Sequence, residues 1–308
     1  MTAARTGAIR SSLEAPVLMV VATLLFSVMG ALVKWASAWY GAAEIVMYRG
    51  LVGALAMAAL CRWRGICLAT PVPGMHLWRS ATGVLALGLW FHSFQGLPLG
   101  TAVTLNYMSS VWMALMVTAG AAMAIRAPAI DGRLISAVLV GFLGVALVLQ
   151  PTIHAQQLWY GLAGLLSGVR AAGSSLQVHA LGRVGEPESR VVFYFSLAGV
   201  VGGAFVTALG SGFSAHHARG ALALVGIGAL ATAAQLFMTR AYTLGSPVAN
   251  GALSYLGVAF SFGLGVWVFD DPVTRVALVG MMLIVAAGIA ATALQQKHAH
   301  ARVHTDQR

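Results

Sequence analysis

Residues 244–255, LGSPVANGALSY, retrace residues 99–110, LGTAVTLNYMSS. At a shift of 145 positions, Leu99 falls on Leu244, Gly100 on Gly245, Val103 on Val248 and Ser109 on Ser254. A shift of 144 sets Glu44 over Glu188 and Gly144 over Gly288. An apolar sequence yields some such matches by chance, so the shift takes its weight from larger units. Apolar segments fall at 17–38, 43–61, 78–97, 101–123, 134–150, 159–180, 190–210, 220–241, 247–269 and 274–294. Each is near the ~20 residues that cross about 30 Å of hydrocarbon at about 1.5 Å per residue. The shift lays the first five segments on the last five. Five is odd, so the second copy enters the membrane in the opposite sense. In such inverted repeats two halves rock around a midplane site. The expected fold is an all-α polytopic membrane protein: ten transmembrane helices as two inverted five-helix repeats at 16–150 and 151–295, with tails at 1–15 and 296–308.

Composition fits that setting. Of 308 residues, 59% are hydrophobic and 8% are charged, whereas soluble domains carry about 25% charged residues. The 36 glycines suit helices that pack closely in lipid. The first apolar run follows Arg5 and Arg10 and reaches Val33, longer than the roughly 7–15 residues of a signal-peptide core. Lys34-Trp35 closes it as an interface anchor, which makes it a first span. Cys61 and Cys67 lie beside Arg62 and Arg64 and are expected as unpaired reduced thiols. The net charge of +10 does not point to nucleic acid, because the basic residues flank apolar segments and do not line one face. With the N-terminus inside, thirteen Lys and Arg residues, Arg79 among them, fall in cytoplasmic segments. Only Arg219 and Arg275 fall outside. That asymmetry predicts a multi-pass protein of the inner (cytoplasmic) membrane with both termini cytoplasmic.

FSVMGALVKWAS (26–37) ends the first span in a lysine, and EIVMYRG (44–50) opens the second. LVGFLGVALVLQP (139–151) and LIVAAGIA (283–290) are glycine-containing last spans of each half. In these features residues 15–295 resemble the EamA family of the drug/metabolite transporter superfamily. The resemblance implies a central cavity enclosed by spans one to four and six to nine. It also implies peripheral spans five and ten, available for a homodimer contact, and a small-molecule substrate.

LLSGVRAAGSSLQ (165–177) places Arg170 about 16 Å below the outer surface, near the midplane. An arginine there costs on the order of 3–10 kcal/mol or more, and its side chain cannot reach either interface. It therefore faces a watery cavity and substrate, or is locked onto backbone carbonyls or an acid. Gly168, Gly173, Ser174 and Ser175 leave room beside it, and Gln177 lies about two turns on. Three charged residues mark the outer mouth. Lys34 is expected to pair with Glu44 across a short hairpin, and Arg49 either lines the mouth or braces the hairpin. Further polar residues suggest a lining: His92 and Gln95 on span three, Asn106 and Tyr107 on span four with Trp112 at i+3 from Ser109, Gln235 on span eight, and Asn250, Ser254 and Tyr255 on span nine. Taken singly, each also reads as glue between helices.

Within the spans there is no Asp or Glu besides Glu44 near an end. That disfavours a carboxylate proton relay, though His92 titrates near neutral pH. An excess of buried positive charge points to cargo with a carboxylate or phosphate. The tail HAHARVH (298–304) lacks a folded context, and GVVGG (199–203) reads as helix packing, because no strand precedes it. No catalytic residue, metal site or cofactor is expected; the partners are a small molecule and the lipid bilayer. The function read from these residues is a secondary transporter or facilitator, an exporter of amino acids or related metabolites. Uptake of a riboflavin- or S-adenosylmethionine-like molecule and a non-transporting assembly subunit are the rivals.

Overall fold

The structure is a computed structural model and describes residues 2–96, 103, 105–113, 115–116, 132–149, 158–210, 212–269, 274–276, 278–280, 282–287 and 289–290. Among these residues the chain forms helices joined by short turns, with no strand. In order they are α1 (Thr2–Ala36), α2 (Ala42–Trp63), α3 (Pro73–Gly96), α4 (Gly132–Leu149), α5 (Leu158–Arg183), α6 (Glu188–Leu209), α7 (Ala218–Leu244), α8 (Pro247–Ser254) and α9 (Leu256–Phe269). Further helical residues lie within 105–116 and 275–290. In lipid a helix satisfies its own backbone donors and acceptors, so long apolar stretches take that form.

Among the described residues five helices are long and apolar enough to cross a membrane: Glu14–Ala36, Ala42–Trp63, Glu188–Leu209, Ala218–Leu244 and Pro247–Val268. The α3 and α5 helices are of similar length, yet α3 carries His76, Arg79 and His92, and α5 carries Arg170, Gln177 and His179. Large apolar side chains such as Leu55, Val201, Phe205 and Leu222 are exposed on the outer faces, as a lipid-facing surface requires. Exposed tryptophans stand near helix ends, Trp63 (81%) and Trp78 on one side of the bundle, Trp35, Trp159 and Trp267 (82%) at other termini. Interfacial belts are built this way.

Helices α1 and α7 run antiparallel, with Glu14 against Arg240 and Leu32 against Gly226. So do α3 and α5, with Thr82 against Gln177 and Ser93 against Gly164. Between these pairs α2 crosses α6. A Cβ on Gly50 would stand 2.5 Å from the Ser196 carbonyl oxygen, and one on Gly203 would stand 2.7 Å from that of Ala43. The GVVGG stretch is thus a packing surface, as expected. Helix α4 lies against 280–287 through Gly141 and Gly144.

Turns fix the ends of two helices that matter below. After α5, Gly185 takes a positive φ of 81°, and Glu186 N–H donates to the Leu181 carbonyl at 3.1 Å. This left-handed cap satisfies the last carbonyls of the helix and turns Glu186 back under the bundle. Gly65, at a φ of 66°, does the same after α2. Cys61 is buried and Cys67 exposed, both free thiols.

Candidate functional site

Small residues on α5 let its neighbours approach and so create a polar seam. Gly164 and Gly168 meet residues 105–109, and Ser174 meets Gly83 of α3. Across the seam Thr82 Oγ1 lies 3.1 Å from Gln177 Oε1, and Asn106 Nδ2 donates to Ser167 Oγ at 3.0 Å. Arg170 is half-buried on this helix. Seven residues separate it from Gln177, so the two lie within roughly 20° around the axis. Among the described residues it makes no ion pair or hydrogen bond. One turn earlier on nearly the same face Leu166 is exposed, so this face of α5 runs from the seam out to the surface.

The remaining lining residues divide. Ser254 Oγ and Ser110 Oγ both donate to the Gly251 carbonyl at 2.6 Å and lie 3.2 Å apart, while the Tyr107 and Tyr255 ring centres stand 6.4 Å from each other. Asn250 is fully buried and donates to the Ala241 carbonyl at 2.6 Å. Gln235 is buried, and its Nε2 has no partner among the described residues. Trp112 packs beside a cluster containing Met19, Met113 and Tyr242. His92 is exposed, its ring 5.1 Å from that of Tyr160. It lines an apolar groove of about 1000 Å³ between α3, α6 and the start of α2. The Gln95 side chain lies outside the described residues. Asn106, Gln177, Asn250 and Ser254 thus act as interhelical glue in this conformation, and His92 belongs to a different recess from Arg170.

A second constellation was not legible as such. Arg79 falls near the cytoplasmic end of span three in the sequence, yet it is 2% exposed. Its guanidinium carbon sits 3.9 Å from the centre of the Phe195 ring, and that of Arg49, 6% exposed, sits 5.2 Å from the same ring. Arg49 Nε and Arg79 Nε and Nη1 have no hydrogen-bond partner among the described residues, and no described carboxylate pairs with either group. Glycine at position 83 makes room for Arg79, since a Cβ there would stand 2.6 Å from Nη1. A cation–π contact contributes about 0.5–2 kcal/mol, against several kcal/mol to desolvate each ion. The ring therefore does not offset the burial of two like charges. The available signal was the run from Arg79 to Gly83, which repeats the Arg, Ser and Gly mix around Arg170.

The two ends of the bundle are latched differently. The Glu44 carboxylate takes hydrogen bonds that the sequence did not suggest. Buried Glu44 accepts from Ser214 Oγ at 2.8 Å and from Ser214 N–H at 3.3 Å, with His216 at 3.7 Å, while Lys34 is exposed. The α6–α7 loop comes down over α2 and supplies these donors. At the other end Glu186 accepts from Thr70 at 2.8 Å and Arg190 at 3.0 Å and meets His76 Nε2 at 3.0 Å. Burial alone raises the Glu186 carboxyl pKa, yet these hydrogen bonds and the Arg190 charge hold it below the usual value.

No family model matches the chain. Over 279 residues it is 32% identical to the pseudopaline exporter CntI of Pseudomonas aeruginosa (strain UCBPP-PA14), covering 89% of this chain and 94% of that protein. The chain belongs to the family of that exporter. An uncharacterized transporter of Helicobacter pylori (strain J99 / ATCC 700824) is 22% identical over 88% of the chain. A protein solved by crystallography, 20% identical, superposes with a TM-score of 0.76 over 92% of this chain and 98% of its own. That likeness establishes a shared fold.

Membership in the CntI family makes the chain a multi-pass membrane transporter, in keeping with its apolar helices. The expectation of a small-metabolite exporter is borne out at this level. These relatives are named as an exporter and a transporter, not as enzymes.

Proposed function

We propose that the chain exports a small organic metabolite bearing a carboxylate or phosphate by alternating access, as an EamA-type carrier of the inner membrane with both termini cytoplasmic. The observation that carries this reading is the identity with a named exporter along nearly the whole chain. The helix pairing supports two inverted five-helix halves. Exchanging the halves turns the α1–α7 pair into the α5–α3 pair, and it maps the α2–α6 crossing onto itself. Ser110 and Ser254, 144 positions apart, meet directly, as equivalent residues do on a twofold axis. Nine labelled helices, two of them sharing the 247–268 span, and the helical residues within 105–116 and 275–290 fit ten spans.

In this reading Arg170 meets the anionic group of the cargo from the rim of the α3–α5 seam. Gln177 and Asn106 change partners as the seam opens, Gln235, Tyr107, Trp112, Tyr255, Asn250 and Ser254 shape the wall, and Lys34 and Glu44 act toward the outer mouth. The exposed faces of spans five and ten, with Leu139, Leu143, Met282 and Ile289, offer a homodimer contact. Purified protein in liposomes loaded with labelled amino acids and carboxylated amino-acid derivatives tests the assignment. Saturable efflux of at least one carboxylate is the expected result. Absence of both efflux and thermal stabilisation across the panel contradicts export.

A further inference from the structure

Two buried guanidinium groups rest against one phenylalanine with three unpartnered donor nitrogens, Arg49 Nε and Arg79 Nε and Nη1, and no described carboxylate to neutralise them. They come from different helices, Arg49 about 10 Å along α2 from Ala42 and Arg79 about 9 Å along α3 from Pro73. Phe195, which both meet, lies on α6, about 10 Å in from Glu188. These depths and the low exposure of both side chains put the cluster inside the bundle, one turn of α3 in from His76 of the Glu186 latch, where water does not screen charge. The side chains are held from several directions: Arg79 by Gly83 and the Phe195 ring, and its helix by the Ser174 hydroxyl 3.5 Å from the Arg79 carbonyl. The cluster is separate from Arg170, which is half-buried and lies on α5.

We propose that Arg49 and Arg79 together bind one small anion beside Phe195, between α2, α3 and α6. Guanidinium donors suit oxygen acceptors and halides, and an anion there cancels the repulsion between the two cations. The bound group has one chemistry and two sources: a free inorganic anion, or the carboxylate or phosphate of a larger molecule. The site stands whether or not the chain exports a carboxylate, because it rests on buried charge and not on cargo.

The test uses the purified full-length protein in detergent, with its unfolding midpoint read by tryptophan fluorescence. Chloride, inorganic phosphate and acetate are titrated in turn while a bulky sulfonate holds ionic strength constant. A saturable rise in the midpoint is expected with at least one of them, because a ligand that binds only the folded state stabilises it. A response to chloride or to inorganic phosphate assigns a free inorganic anion, and a response to acetate alone assigns a carboxylate-bearing ligand. Arg49→Gln and Arg79→Gln each raise the half-saturating concentration about tenfold or more, and the double variant loses the response. Arg183→Gln, at an exposed helix end, keeps it. If the glutamine variants fail to fold, Gly83→Ala serves in their place. It keeps both charges but puts a Cβ against Arg79 Nη1, and it weakens the same response. An unchanged titration in R49Q/R79Q, or in G83A where those do not fold, overturns the site. So does a flat response of the wild type to all three anions. Export is not measured at any step, so failure here leaves the transport assignment untouched.

Discussion

The α1–α7 and α3–α5 pairs both run antiparallel through the bundle, yet they are filled differently. Met29, Val33, Leu224 and Ile227 pack the first. Thr82, Gln177, Ser174 and Arg79 occupy the second. If the two pairs are equivalents in an inverted repeat, duplication supplied one frame and the halves then diverged in chemistry. Polar and charged groups inside a membrane are costly and gather where function needs them. On the proposed function, the α3–α5 seam is therefore where cargo and ions are to be sought, with the α1–α7 pair as scaffold.

Substitutions separate those roles. The largest loss of stability is expected from the scaffold: Met29→Ala leaves a cavity at a side chain only 1% exposed and costs about 2–5 kcal/mol. Denaturant titration in detergent measures this, and flux per folded molecule should not change. Equal flux loss in M29A and in the seam variants erases the contrast. Next comes the latch beneath the seam. Glu186→Gln removes charge-assisted hydrogen bonds worth about 1.5–3 kcal/mol. The carboxyl pKa is lowered by folding, so its contribution is complete above the ordinary carboxylate value and fades as pH falls through the lowered one. Unfolding midpoints should therefore drop for the wild type as pH is taken below about 4.5, with a shallower slope in E186Q. The scaffold pair ends instead in the solvent-exposed Glu14–Arg240 bridge, worth at most about 1 kcal/mol. The smallest effect belongs to Thr82→Val, which keeps shape but deletes the contact with Gln177. Interhelical bonds in membranes average about 0.6 kcal/mol, so a double-mutant cycle with Gln177→Leu should return a coupling of that size.

Much of the architecture was legible because hydrocarbon thickness fixes span length and charge fixes the spans' flanks. The shift that pairs Ser109 with Ser254 was off by one position at the contact itself, where Ser110 meets Ser254. Sequence identifies equivalent helices more readily than the register at which they cross. Arg170 stood out because it interrupts an apolar stretch midway. Arg79 did not, because its place near a helix end mimics an interfacial arginine, and only the tilt and packing of α3 against Phe195 bury it. The hydrogen-bond donors to Glu44 were hidden for a related reason. Nearness along the chain favoured Lys34, whereas the long loop after α6 delivers Ser214 and His216 from 170 residues away or more. Asn106, Gln177, Asn250 and Ser254 were visible as polar residues, but their partners are set by helix rotation, which spacing alone does not determine.

Efflux of a labelled carboxylate from proteoliposomes, compared between the wild type, Arg170→Ala and Leu222→Ala, bears most directly on the seam as the cargo path. Leu222 is 75% exposed on the scaffold pair and serves as the lipid-facing control. A fall of about tenfold or more in R170A, with L222A unchanged and both variants folded, is the predicted result. Undiminished efflux from folded R170A contradicts it.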